Sequence, residues 1–205
     1  MKTDQRRIYL VDDDSAVREA VALLLQTVGF EVAAFADPMA FLAVLAKLEP
    51  GCVVLDIRMP MLSGLRLQER LAEEGCEWPV IVISGHGDIE ACRRAFKNGA
   101  VDFLSKPVDE QDLIDAIQKA DRILERRAAQ SAERAEAQAL LGRLTAREIE
   151  VLELVSRGFT SRQIAGSLNL SPRTIESHRA SIAAKVGTTS PAELTRLLID
   201  SGRDP

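Results

Sequence analysis

No stretch of this 205-residue chain approaches the roughly 20 consecutive apolar residues that a bilayer crossing needs, so a helical span and a membrane partner are excluded. The opening segment MKTDQRRIYLVDDD carries basic side chains without a long apolar run behind them. No secretory signal is visible there, and a cytoplasmic location is expected. Cysteine is scarce. Cys52, Cys76 and Cys92 are odd in number and lack metal-ligand spacing, which excludes a disulfide framework or zinc site and leaves reduced packing residues. No Gly-x₄-Gly-Lys-Ser/Thr occurs, which argues against a nucleotide-hydrolysing switch. Internal repeats are absent too.

What is present is a chain long enough for two domains, with a charge split between them. Residues 142–205 hold nine basic and seven acidic side chains, and the remainder holds seventeen and twenty-four. An acidic front and a mildly basic back suggest two parts with different partners. An excess of two positive charges is, alone, weak evidence for nucleic acid.

The front part alternates strand and helix. RIYLV (7–11), EVAAF (31–35), CVVL (52–55), PVIVI (79–83) and VDFL (101–104) are short aliphatic runs suited to buried parallel strands. Helical patterns lie between them: Val17, Val21, Leu24 and Leu25; Phe41, Leu42, Leu45 and Leu48; Leu65, Leu67 and Leu71; Ile89, Cys92, Ala95 and Phe96. This predicts an α/β fold, a five-stranded doubly wound parallel sheet with right-handed crossovers. Ligands of such sheets bind beyond the carboxyl ends of the strands, where the strand order reverses.

From Asp109 the pattern is helical, through Leu113, Ile114, Ile117, Ile123 and Leu124 into ERRAAQSAERAEAQALLGR (125–143). That stretch is Ala-, Glu- and Arg-rich without proline. It reads as a solvated helix, either extending the preceding one or breaking once before a separate linker helix. Gly142 suits a C-cap.

Behind it come short helices only. TAREIEVLELVSRG opens with a Thr-x-x-Glu capping box and closes at Gly158. SPRTIESHRASIAAKVG places Ser171 as N-cap and Pro172 at the first helical position, and SPAELTRLLIDSG repeats the Ser-Pro start. The short NLSP link fits a helix-turn-helix. Boundaries of 1–124, 125–141 and 142–205 follow for the sheet domain, helical linker and all-α domain.

A lone carboxylate, Asp56, ends the third apolar run in VVLDIRMPMLSG, where a buried charge is costly unless paired. Asp12, Asp13 and Asp14 follow the first run. In strand order 2-1-3-4-5, strands one and three are neighbours, so these acids converge at the switch point. Clustered carboxylates need a hard cation, and Mg²⁺ with oxygen ligands fits. Ser84 closes the fourth run and Lys106 lies just past the fifth. A hydroxyl and an ammonium facing such a cluster are what a phosphoryl group on Asp56 would need, which makes Asp56 a candidate nucleophile. Singly, each feature has a plainer reading: acids at a helix start, a Ser-Gly turn, a Lys-Pro loop.

LVDDD, VLDIRMPMLSG, VISGHGD and GAVDFLSKP together resemble the receiver domains of two-component response regulators, over nearly all of residues 6–124. The resemblance implies that Asp56 is the phosphoacceptor. It implies that Asp13, Asp56 and the backbone carbonyl of Arg58 ligate Mg²⁺, with Asp12 acting through water. Ser84 would bond a phosphate oxygen, Lys106 would neutralise it, and Phe103 matches the family's aromatic switch. Arg58 and His86 would influence how long the phosphoryl group survives. Met61 departs from the acidic residue usual after Met-Pro, and Ser84 stands where threonine is usual.

Residues 144–201 are similar to the LuxR-type helix-turn-helix, which implies a support helix at 146–157, a scaffold helix at 160–168 and a recognition helix at 172–186. Spacing puts Ile175, Ile182 and Val186 inward, and Arg173, Thr174, Glu176, Ser177, Ala180 and Ser181 outward. Residues near the helix start would read base edges. Thr174, Arg179, Arg162 and Lys185 would hold phosphates. Glu176 is repelled by phosphate, so it would accept from cytosine or pair with Arg173 or Arg179. His178 reads as packed or phosphate-facing, since only His86 accompanies it and a metal site needs more.

These resemblances, with GHGD and GAVDF pointing to FixJ-type nitrogen-fixation regulators, imply a phosphorylation-gated transcription regulator rather than an enzyme. Its partners would be a sensor histidine kinase, promoter DNA and RNA polymerase. A second copy would dock on the fourth-helix and fifth-strand face, with Cys92, Phe96, Val101 and Phe103. The enzyme alternative is an aspartate-nucleophile phosphatase of haloacid-dehalogenase type. Arg58, standing where that Asp-x-Asp pattern needs its second acid, argues against it.

Overall fold

Five aliphatic runs form the sheet because their β-branched and apolar side chains can be buried on both faces at once. A computed structural model describes residues 6–85 and 89–203. In chain order the front part contains β1 (Arg7–Val11), α1 (Ser15–Thr27), β2 (Glu31–Phe35), α2 (Pro38–Val44), β3 (Cys52–Asp56), α3 (Gly64–Glu73), β4 (Val80–Ser84), α4 (Ile89–Lys97) and β5 (Asp102–Ser105). A 3₁₀ turn, Leu45–Lys47, follows α2. The strands are all parallel in the order β2-β1-β3-β4-β5, as the alternation predicts.

Every residue of β3 and β4 is buried. One face of the sheet carries Val11, Val53, Leu55 and Val82 against Phe41, Leu67 and Leu71. The other carries Leu10, Val54, Ile81 and Ile83 against Leu25, Leu113 and Ile117. At about 1.5–3 kcal/mol for each fully buried aliphatic side chain, these two layers dominate the stability of this part.

In β3, β4 and β5 the hydrogen-bond ladder runs one residue past the apolar runs. Pro79 only lends its carbonyl to the N–H of Val53, so β4 starts at Val80 and ends at Ser84. β3 likewise includes Asp56. The fourth helix also departs from its pattern. Ala91 and Ala95 face the sheet, whereas Ile89 and Phe96 are 77% and 48% exposed. Two alanines let α4 lie close, and the larger residues are turned outward.

The back part begins within a helix. α5 (Glu110–Leu141) is continuous, which resolves the open choice between extension and break. Compact packing divides the chain inside α5, into residues 1–126 and 127–205. After α5 come α6 (Ala146–Ser156), α7 (Ser161–Leu168), α8 (Pro172–Val186) and α9 (Pro191–Asp200). Their core includes Leu152, Ile164, Ile175, Ile182 and Leu198. Ala137 and Leu141, within the stretch expected as a solvated linker, belong to this core too. Residues 125–136 are exposed.

Thr145 and Glu148 make the expected reciprocal capping box on α6, whereas Ser190, at the second Ser-Pro start, precedes α9 without a side-chain cap bond; Thr160 and Gln163 make a further box on α7. Ser171 caps α8 at its start, and Gly187, with a positive φ of 87°, closes it. None of the described helices is long and apolar enough to cross a membrane.

Candidate phosphoacceptor site and nucleic-acid interface

The three consecutive acids after β1 have three different tasks. Asp14 is the N-cap of α1, accepting from the N–H groups of Ala16 and Val17. Asp12 is fully buried, accepting from the Asp14 N–H at 2.9 Å. Asp13 is exposed between them. Carboxylate oxygens of Asp12, Asp13 and Asp56 lie within 4.8 Å of one another.

Asp56 is 4% exposed at the end of β3, so it does not escape burial by reaching solvent. It is paired instead. The Lys106 ammonium lies 2.7 Å from Asp56 Oδ1 and 2.8 Å from Asp12 Oδ2, bridging the neighbouring strand ends. The Arg58 N–H donates to Asp56 Oδ2 at 2.8 Å. Burial alone would weaken the hold of Lys106 on its proton, but the bonds to Asp12 and Asp56 outweigh it and raise its pKa. Burial pushes the Asp12 carboxyl up, against the opposing pull of Lys106 and of the Asp14 N–H.

With these groups ionised, three carboxylates and one ammonium leave two net negative charges, and the donors are all hard oxygens. A divalent cation of the Mg²⁺ type fits that donor set. Ser84 is 3% exposed at the end of β4, one residue beyond Ile83, the β4 partner of Asp56. Phe103 is half-buried against the core on β5. The Arg58 side chain is exposed. His86 lies outside the described residues.

Gly64 is a site residue that sequence reasoning missed. A Cβ there would meet the carbonyl oxygen of Asp56 at 2.1 Å, so only glycine lets α3 start this close to the acceptor strand. Its N–H donates to the Ile57 carbonyl, closing the loop. Within that loop Met61 has a positive φ of 65° and is 87% exposed.

On α8 the expected inward stripe is buried at Ile175 and Ile182 and half-buried at Val186. Arg173, Glu176, Ser177 and Ala180 are exposed, as is Arg162 on α7; Thr174 and Arg179 are half-buried. Glu176 has no ion pair among the described residues, so the expected pairing with Arg173 or Arg179 does not form. His178 is half-buried.

Lys185, expected to hold a phosphate, is ion-paired within the fold. Its ammonium lies 2.9 and 2.7 Å from the two carboxylate oxygens of Glu148, a buried acid on α6. Ser181, expected outward, donates to the same carboxylate at 2.6 Å. An acid removed from water needs such partners, and their pull has priority over solvent.

A model of the response regulator receiver domain matches residues 8–118, and a model of bacterial regulatory proteins of the luxR family matches residues 142–198. The chain is 40% identical to the response regulator protein TmoT of Ectopseudomonas mendocina over 197 residues, covering 96% of this chain and 90% of that protein. It is 39% identical over 200 residues to the transcriptional regulatory protein FixJ of Bradyrhizobium diazoefficiens, covering 98% of each. Among solved structures, the response regulator StyR matches with a TM-score of 0.82 at 40% identity, covering 95% of this chain and 98% of that one.

Proposed function

Since the chain belongs to the transcriptional response regulators that join a receiver to a LuxR-type DNA-binding domain, we propose that Asp56 is its phosphoacceptor and that phosphorylation controls promoter binding through α8. The observation that carries this reading is the bridging Lys106 ammonium, 2.7 Å from a buried Asp56 carboxylate. It balances the charge of the buried carboxylate where a phosphoryl group would attach. The Asp56 oxygen–phosphorus bond forms as the phosphorus–nitrogen bond of a kinase phosphohistidine breaks, and the imidazole leaves with the bonding pair.

Asp13, Asp56 and the Arg58 carbonyl would hold Mg²⁺, with Asp12 behind a water; bound there, the ion would supply charge neutralisation at the phosphoryl oxygens. Ser84 would donate to one of those oxygens, and Lys106 would balance another. Phe103 then turns inward as Ser84 moves. The functional parts are a receiver at 1–124, a connecting helix at 125–141 and a DNA-binding part at 142–205, whose core recruits the end of that helix.

A second copy docks on the face formed by α4 and β5, where Phe96 is exposed and Cys92, Val101 and Phe103 are half-buried. On DNA, Arg173, Ser177, Glu176 and Ala180 face base edges, and Arg162, Thr174 and Arg179 hold phosphates. RNA polymerase is the downstream partner, and the cytoplasm is the compartment where kinase and promoter meet. The protein transmits a phosphoryl group rather than turning substrate over, because Arg58 replaces the second acid of an aspartate-nucleophile phosphatase.

The test is labelling by acetyl phosphate. Wild type acquires acid-labile phosphate in the presence of Mg²⁺, and Asp56→Asn does not. Equal labelling of the variant places the nucleophile elsewhere.

A further inference from the structure

The C-terminal body contains one acid whose position none of the functional roles above explains. Glu148 lies in the first turn of α6 and is 4% exposed. Its two oxygens accept four hydrogen bonds, two of them from one ammonium. Oε2 accepts from the Thr145 N–H at 2.7 Å and from Lys185 at 2.7 Å; Oε1 accepts from Ser181 Oγ at 2.6 Å and from Lys185 at 2.9 Å. A capping box by itself uses only the first of these. The remaining donors come from α8, at positions 181 and 185, one helical turn apart.

The inner stripe of α8, Ile175 and Ile182, seats the helix against the core but is apolar and tolerates small rotations. A charged anchor of three hydrogen bonds on one flank does not, because hydrogen bonds fall off steeply with angle and a carboxylate half-deprived of donors is costly to bury. Fixing Ser181 and Lys185 toward α6 fixes which side of α8 points away: the side with Arg173, Ser177 and Ala180, all exposed.

We propose that Glu148 is a positioning residue for DNA recognition, setting the rotation of α8 through Ser181 and Lys185, and that Lys185 contacts no phosphate. The inference rests on the reading of α8 as the recognition helix, and its test separates the two.

Full-length protein is titrated into a random-sequence duplex of about two helical turns, followed by fluorescence anisotropy over a range of salt. Temperatures are kept well below melting, so that lost stability alone does not change affinity. Each phosphate contact contributes about 0.9 to the slope of log affinity against log salt. Arg179→Ala, at an α8 residue placed on phosphate, is the control: a response in affinity or slope supports the α8 reading, and none defeats it whatever Glu148 does.

Given that response, Glu148→Gln and Lys185→Met each weaken binding by about fivefold, on the order of 1 kcal/mol, with the slope unchanged. The double variant is no weaker than either single one, because both break the same anchor. A fall in slope of about 0.9 in Lys185→Met makes Lys185 a phosphate contact and overturns the proposal. Glu148→Gln keeps the shape and the Thr145 bond, so it remains informative if Lys185→Met fails to fold. Unchanged or increased affinity in Glu148→Gln also overturns the proposal, since a released lysine would then be helping rather than misplaced.

Discussion

At Asp56 and Glu148 the chain buries two carboxylates, each beside a lysine distant in sequence, and the two lysines have opposite consequences for function. Lys106 approaches from the end of β5 and remains part of the site that a phosphoryl group would enter. Lys185 is consumed within the fold. Sequence patterning located the first because strand ends converge by topology, so four separate motifs had one meeting point. The pairing of the second was not legible, because a helical period gives a direction for Lys185 but not the acid waiting there from α6. Gly64 was hidden for a related reason: its necessity is a 2.1 Å approach to Asp56, invisible until the loop is closed. Gly64→Ala is therefore expected to destabilise the receiver by about 1–3 kcal/mol, through overpacking against backbone that cannot yield. Urea midpoints measure this, with Gly166→Ala, where a Cβ meets nothing, as the mild comparison. Lys106→Ala is expected to accept phosphate from acetyl phosphate yet fail to raise DNA binding; normal activation of that variant would remove Lys106 from signal transmission.

Among the elements, helices announced themselves through caps, and the parallel sheet through alternation. The edges of β3, β4 and β5 were less legible, since the backbone ladder continues under polar side chains such as Asp56 and Ser84. On α4, the apolar pattern of Ile89, Cys92, Ala95 and Phe96 meets the core only at Ala95, which close packing joins with Ala91. The α6–α8 contact carries its own pH signature. The Lys185 ammonium, then Ser181 and the Thr145 N–H, hold the Glu148 carboxyl at about 2, below its ordinary 4.5. A carboxyl depressed in the folded state binds protons more readily when unfolded. Its contribution to stability is thus complete above pH 4.5 and is lost as pH falls toward 2. Chemical unfolding of the C-terminal body in wild type and Glu148→Gln should differ most above that window and converge below it. A difference independent of pH would mean that shape rather than charge is what Glu148 supplies.

For the whole molecule, the long α5 helix is shared property. Its middle, residues 125–136, is exposed, and its last turn contributes Ala137 and Leu141 to the C-terminal core. An Ala-, Glu- and Arg-rich stretch reads as solvated throughout because two buried residues in a polar surround barely disturb the pattern. A C-terminal fragment starting at 127 should melt cooperatively, and one starting at 143 should lose about 2–5 kcal/mol with the removal of Leu141 alone. Equal stability of the two fragments would detach α5 from that core. How the phosphoryl signal reaches α8 is constrained by charge. Phosphorylation adds nearly two negative charges, and beyond a Debye length of about 8 Å their field is largely screened. Direct electrostatics would in any case repel DNA. The proposed function assigns the gain in affinity to a change in assembly or in domain contact, and docking of two copies over α4 and β5 would let two recognition helices engage together. Phe96→Glu, on an exposed position, should then abolish the gain while leaving Asp56 labelling intact.

The most direct measurement is a titration of promoter DNA with full-length protein, phosphorylated and unphosphorylated, while the oligomeric state is followed in the same samples. The account predicts that phosphorylation on Asp56 converts monomer to dimer and raises affinity, that the rise steepens with protein concentration, and that Asp56→Asn shows neither change. Equal affinity with and without phosphate, or a phosphorylated monomer that binds as tightly as the dimer, would contradict it.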